Sequence, residues 1–156
     1  MNPAAARIAA GETLLLDSST VIAYLNANEA VSPAARFVLD ELVASERNPA
    51  IISSITVGEV LVRPLRQLGN VPEDTKAFLL DFPGLAVRSA DFLIAAEAAA
   101  IRAQTGAAMP DALIAATATL TSARWLISND RHFAESLAGL DWQTEVLLLT
   151  DLAGVA

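Results

Sequence analysis

Thr13-Leu-Leu-Leu-Asp-Ser-Ser-Thr-Val-Ile-Ala-Tyr-Leu25 reads as a strand, a turn and a helix in immediate succession. Thr13–Leu16 is a short apolar run closed by Asp17, and Ser18 or Ser19 is expected to cap a helix carrying Val21, Ile22 and Leu25. A continuous apolar run without polar alternation suits a strand covered on both faces, as in a parallel sheet. The grammar then repeats. Ala50–Ser53 is a second buried strand, and Ser54 or Thr56 precedes a helix containing Val57, Glu59, Val60 and Leu61.

Between these units, Ser32-Pro33 opens a helix with Phe37, Val38, Leu42 and Val43 at helical spacing, fading near Asn48-Pro49. Pro64 is expected to kink or restart the helix after the second strand, because it lacks a backbone donor and restricts Arg63; Gly69-Asn70 should end that segment. Pro72–Phe82 reads as a helix, Leu85–Arg88 as a third strand, and Ser89–Gln104 as an Ala-rich helix stopped by Gly106. Pro110-Asp111 opens the next helix. A fourth strand, Trp125–Ser128, leads through Asn129-Asp130 into a short helix with Phe133 and Leu137, and Val146–Leu149 forms a fifth strand. Strands alternating with helices predict an α/β fold: three α/β/α layers around a central five-stranded parallel sheet with right-handed crossovers. Residues 1–12 read as a loose lead-in and 13–152 as one domain.

The composition agrees with one compact core. The chain has 156 residues, 54% of them hydrophobic but only 5% aromatic, so Leu, Ile, Val and close-packed Ala must fill the interior. Mean hydropathy is +0.46, yet the longest apolar run, Ala107–Ala123, contains Pro110, Asp111 and several hydroxyls and is too short to span a bilayer. No signal peptide is evident at the start, so a cytoplasmic protein is expected. The absence of Cys excludes disulfides, thiolate metal sites and a cysteine nucleophile. With 18 acidic and 10 basic residues the net charge is −8, which argues against loose binding to nucleic acid or to an anionic membrane.

In parallel α/β folds, ligands bind beyond the carboxyl ends of the strands, where strand order switches. Asp17 ends the first strand and Asp130 follows the fourth, while Glu59 and Asp111 lie near helix starts that reach the same edge. Bare carboxylates at one place repel and raise each other's pKa values, so such a set calls for a cation. Oxygen ligands, with no Cys and a single His, select Mg²⁺ or Mn²⁺ over Zn²⁺. The matching chemistry is phosphodiester hydrolysis. Against this stands the plain reading of each acid as solvated surface or a helix-terminal charge, with Asp111 a possible cap beside Pro110.

Four segments together carry a family resemblance: Leu14-Leu-Leu-Asp-Ser-Ser-Thr-Val-Ile-Ala-Tyr-Leu25, Ile55-Thr-Val-Gly-Glu-Val-Leu61, Met109-Pro-Asp-Ala-Leu-Ile-Ala-Ala-Thr-Ala118 and Leu126-Ile-Ser-Asn-Asp-Arg-His-Phe133. Their order and spacing resemble the four motifs of PIN-domain nucleases, most of all the VapC-type toxins of bacterial toxin–antitoxin pairs. The resemblance implies a Mg²⁺- or Mn²⁺-dependent ribonuclease. Asp17, Glu59, Asp111 and Asp130 would be its catalytic, metal-binding set, with Ser19 and Ser128 as supporting hydroxyls where Asn and Thr are common in the family. It also implies an RNA substrate, a homodimer, and a cognate antitoxin whose C-terminal segment crosses the active-site groove and presents an Arg to the carboxylates.

Other residues admit two readings each. Arg63 and Arg66 follow Glu59 at helical spacing and suit an RNA phosphate or the antitoxin, but Glu59 and Arg63 also suit a simple i,i+4 ion pair. Arg131 is a phosphate contact or a solvated loop charge. His132 is not required by a cation-and-carboxylate mechanism, and Trp125 and Trp142 read as packing residues. Two other function classes fit the fold: a PIN-like protein retained for binding alone, and an Asp-based phosphatase or phosphoacceptor. The latter wants a second acid beside Asp17 and a late Lys, whereas Ser18-Ser19 follow Asp17 and the sole Lys is Lys76.

Overall fold

The computed structural model describes residues 2–67 and 72–154. A short first helix α1 (Pro3–Ala6) precedes β1 (Leu14–Leu16), α2 (Ser18–Leu25) and α3 (Ser32–Arg36). Without a break, α3 continues into a π-helical stretch, Phe37–Val43, ending in the i to i+5 bond from Ala44 N to Leu39 O. Then come β2 (Ala50–Ser53), α4 (Ser54–Arg66), α5 (Pro72–Asp81), β3 (Leu85–Arg88), α6 (Phe92–Thr105), α7 (Met109–Leu120), β4 (Trp125–Ser128), α8 (Arg131–Leu137) and β5 (Glu145–Leu148), followed by a 3₁₀ turn, Leu149–Leu152. The expected turn at Gly69-Asn70 lies outside the described residues.

All strand pairs are parallel, in the order β3-β2-β1-β4-β5. The chain starts at the centre, builds outward through β2 and β3, and crosses back to lay β4 on the other side of β1. The switch point therefore lies between β1 and β4. Period-two alternation sorts each strand between two cores. Leu14, Leu16, Ile52, Ile127 and Leu147 pack with Val21, Val38, Leu39 and Leu79 on one face; Leu15, Ile51, Leu126 and Val146 pack with Ile94, Ala98, Ala115 and Phe133 on the other. Fully buried Ala112, Ala115, Ala116 and Ala118 give α7 a smooth face that lets it lie close to its neighbours. Among the described residues no helix is long and apolar enough to cross a membrane.

Several local expectations change. Pro64 lies inside α4 without interrupting it, because in the last turn its missing N–H frees only one carbonyl, that of Val60, close to the helix end where carbonyls lack intrahelical partners anyway. Neither Ser18 nor Ser19 caps α2; Asp17 does. In the same way Ser53 caps α4 and Asp91 caps α6, which moves the start of α6 from Ser89 to Phe92. Within residues 2–12, read as a lead-in, most side chains are exposed but several anchors hold the segment: Ala5 and Ile8 are buried, and Asn2 Nδ2 donates to the carbonyls of Asp151 and Ala153. Farther along, the guanidinium groups of Arg7 and Arg124 each lie over the Trp125 ring, 5.1 and 5.0 Å from its centroid. Glu145 binds both arginines, and Trp125 Nε1 donates to Glu12. Ion pairs and ring contacts with distant segments are not visible as periodicity, so the docking of this segment escapes a reading of composition alone.

Gly84 sets the entry to β3 with φ +76°, and a Cβ there would meet the Val43 carbonyl oxygen at 2.4 Å. Left-handed backbone costs about 1–2 kcal/mol and overpacking about 1–3 kcal/mol. Gly84→Ala should therefore lower the melting temperature by roughly 4–20 °C for a domain of this size, as read by thermal denaturation.

Candidate active site

Strand β1 delivers Asp17 to the switch point, where its side chain begins α2 by accepting from Thr20 N at 3.0 Å. Two hydroxyls complete its surroundings. Ser19 Oγ donates to Oδ1 and Ser128 Oγ, at the end of β4, donates to Oδ2, both at 2.6 Å. The same hydroxyls accept from the next loop, Ser19 from Asn129 N at 2.8 Å and Ser128 from Asp130 N at 2.9 Å. Thr20 Oγ1 adds a bond to the Ile127 carbonyl at 2.8 Å. The ends of β1 and β4 are thus laced together around one carboxylate.

Asp17 is only 4% exposed. Burial pushes its carboxyl above the usual carboxylate range despite the opposing hydrogen bonds from Ser128, Ser19 and Thr20. Asp17 differs in this from the other capping aspartates. Asp91 and Asp130 cap their helices in the same way, accepting from Ile94 N and Phe133 N at 3.0 Å each. Asp91, however, is exposed and paired with Arg88. Capping alone does not explain why Asp17 is buried among neutral donors.

Asp130 starts α8 and is exposed beside Arg131 and His132, which are also exposed. Asp111, in the first turn of α7, is half-buried and is not the cap: Ala108 holds that position, and among the described residues the Asp111 carboxylate forms no hydrogen bond. Its pKa is raised first by burial and then by the negative charges of Asp130 and Glu59, with His132 acting the other way. The acids on α4, α7 and α8 therefore share one electrostatic environment. Glu59 is exposed on α4, and its Oε1 accepts from Ser18 Oγ at 2.8 Å. That link replaces the Glu59–Arg63 ion pair weighed from sequence. Arg63 and Arg66 are exposed in the last turn of α4, and among the described residues neither forms an ion pair. Arg63 borders a groove of about 380 Å³ together with Ile22, Leu25, Val60 and Asp74.

No salt bridge among the described residues reaches Asp17, Glu59, Asp111 or Asp130. Nor do any three acidic or histidine side chains among them stand at a spacing that would enclose one metal ion. Mg²⁺ does not demand that: it is held by one or two carboxylates while keeping several waters. A buried carboxylate with only neutral donors, near mutually repelling acids and an all-oxygen donor set, fits a hard divalent cation. The sole lysine, Lys76, pairs with Glu73 on α5, so the Asp-based phosphoacceptor reading finds no lysine beside Asp17. Ser18 and Thr56, expected only as helix-cap candidates, instead meet each other and, through Ser18, Glu59.

The fold is similar to that of a toxin–antitoxin complex from Klebsiella pneumoniae, at 24% identity over 87% of this chain and 97% of that one, TM-score 0.66. It is similar as well to FitAcB from Neisseria gonorrhoeae, at 22% identity over 88% and 98%, TM-score 0.68. A third likeness is to VapC20 of Mycobacterium tuberculosis, described as a Sarcin-Ricin loop cleaving toxin, at 18% identity over 79% and 94%, TM-score 0.64. No curated protein sequence matches the chain. The PIN domain family profile matches residues 14–136, a span that opens on β1, runs through all four acids and closes in α8, and the chain belongs to that family.

Proposed function

We propose that this PIN domain is a Mg²⁺- or Mn²⁺-dependent ribonuclease acting as the toxin of a toxin–antitoxin pair in the cytoplasm. The observation that carries the reading is Asp17: a carboxylate buried at the switch point, raised by burial, with no cationic partner among the described residues. Asp17 and Asp130, with Asp111 and Glu59, would hold the cation. When bound, it supplies Lewis-acid polarisation of a phosphoryl oxygen and a more acidic water at neutral pH. The protein's own part is to keep the Asp17 oxygens directed by Ser19 and Ser128, and to offer Arg131, Arg63 and Arg66 as exposed cations for RNA phosphates. With a net charge of −8, affinity for RNA rests on a few contacts and falls with salt.

The partner side of the proposal draws on the neighbours, which include toxin–antitoxin complexes. A cognate antitoxin laying an arginine-bearing segment over the acids would supply the missing positive charge. Leu25, Val62 and Leu65, 43%, 44% and 64% exposed, offer apolar surface for that segment or for a homodimer.

The test is cleavage of end-labelled RNA by the purified chain. Activity should require Mg²⁺ or Mn²⁺, disappear with chelator and return with excess metal. Undiminished cleavage in chelator, or none under any metal, would refute the proposal.

A further inference from the structure

Ser18, the first residue of α2, is 8% exposed, and its Oγ donates to Glu59 Oε1 at 2.8 Å, across 41 residues of chain. It also lies 3.1 Å from the buried Thr56 Oγ1 on α4. A hydroxyl holds one proton, and of the two acceptors within its reach the Glu59 carboxylate is the nearer and, being charged, the stronger. Glu59 is exposed and forms no other hydrogen bond or ion pair among the described residues. A glutamate tethered at one end only samples many rotamers, and holding it costs entropy that a prearranged donor reduces.

From this juxtaposition of adjacent Asp17 and Ser18 against Thr56 and Glu59, we infer that Ser18 is a positioning residue. It fixes the Glu59 carboxylate beside Asp17 so that α2 and α4 present their acids to the cation as one unit. This rests on the reading of the acids as a cation-dependent nuclease site. It differs from the roles of Ser19 and Ser128, which bond Asp17 itself.

The test measures Mn²⁺ affinity by calorimetry, and RNA cleavage, for Ser18→Ala and Ser18→Thr, each in the parent and in a Glu59→Gln background. Loss of an outer partner of a ligand costs about 10-fold or more in metal affinity, so Ser18→Ala should weaken Mn²⁺ binding by about 10-fold. Ser18→Thr keeps the hydroxyl and should restore binding. In the Glu59→Gln background, Ser18→Ala should add no further loss, whereas a merely structural serine would keep its full effect there. Circular dichroism and melting temperature confirm that each variant is folded. Parental Mn²⁺ binding by Ser18→Ala, or an undiminished effect in Glu59→Gln, overturns the inference while leaving the nuclease reading intact. Parental binding and cleavage by both Asp17→Asn and Glu59→Gln would overturn the nuclease reading and this inference with it.

Discussion

Asp17→Asn protein should cleave RNA about 100-fold more slowly than the parent, or worse, and in chelator should melt at a higher temperature. The first effect follows from position. Removing a partner that only supports a metal ligand costs 10–100-fold, and Asp17 is proposed as a ligand itself. The second follows from burial. Folding raises the Asp17 pKa, so the native state holds the proton more tightly than the unfolded chain does. No stability is lost below the ordinary carboxyl range; it falls as pH rises from the ordinary value through the raised one. Asn removes the charge and keeps the bonds: its oxygen can accept from Ser19 and Thr20 N, and its amide can donate to Ser128 Oγ. The Ser128 proton then turns to Ser19 Oγ, 3.4 Å away. Activity assays and thermal melts on one preparation would show opposite signs, as expected of a site whose charge is kept at the expense of stability.

Mn²⁺ should raise the melting temperature of the parent by roughly 5–10 °C at about a hundred times its dissociation constant, from a stabilisation of about 2.7 kcal/mol. The shift should shrink in Asp111→Asn and vanish in Asp17→Asn. It should also fall as the pH drops towards the carboxyl range, and sooner than ordinary carboxylates would require. Burial raises Asp17, and burial with the charges of Asp130 and Glu59 raises Asp111, so protons compete with the cation at both. Differential scanning fluorimetry across pH measures this directly. An equal shift in the parent and Asp17→Asn would place the ion elsewhere.

Much of this arrangement was readable from residues alone, for physical reasons. β2 and β4 fall where the apolar runs Ala50–Ser53 and Trp125–Ser128 put them, because strands covered on both faces are apolar nearly throughout; the edge strand β3 keeps its expected bounds although only Leu85 of it is buried. Asp17 and Asp130 were placed at one edge by the parallel topology, and the sheet order puts β1 and β4 side by side. Helix starts were less readable. Asp, Ser and Thr are all good caps; the expected cap was Ser18 or Ser19, whereas Asp17, held by a tertiary bond from Ser128, takes that place. The link from Ser18 to Glu59 was beyond reach, since it depends on how α2 packs against α4. The charge of −8 pointed away from nucleic acid, a whole-chain sum that carries no information on how acids cluster.

If the acids beyond β1 and β4 are the cation site at which RNA is cut, anomalous diffraction from Mn²⁺-soaked crystals of protein shown to cleave RNA should reveal a Mn²⁺ peak against the Asp17 carboxylate, within the edge formed by Glu59, Asp111 and Asp130. A metal-dependent cleaving protein whose Mn²⁺ lies away from Asp17 would contradict this assignment.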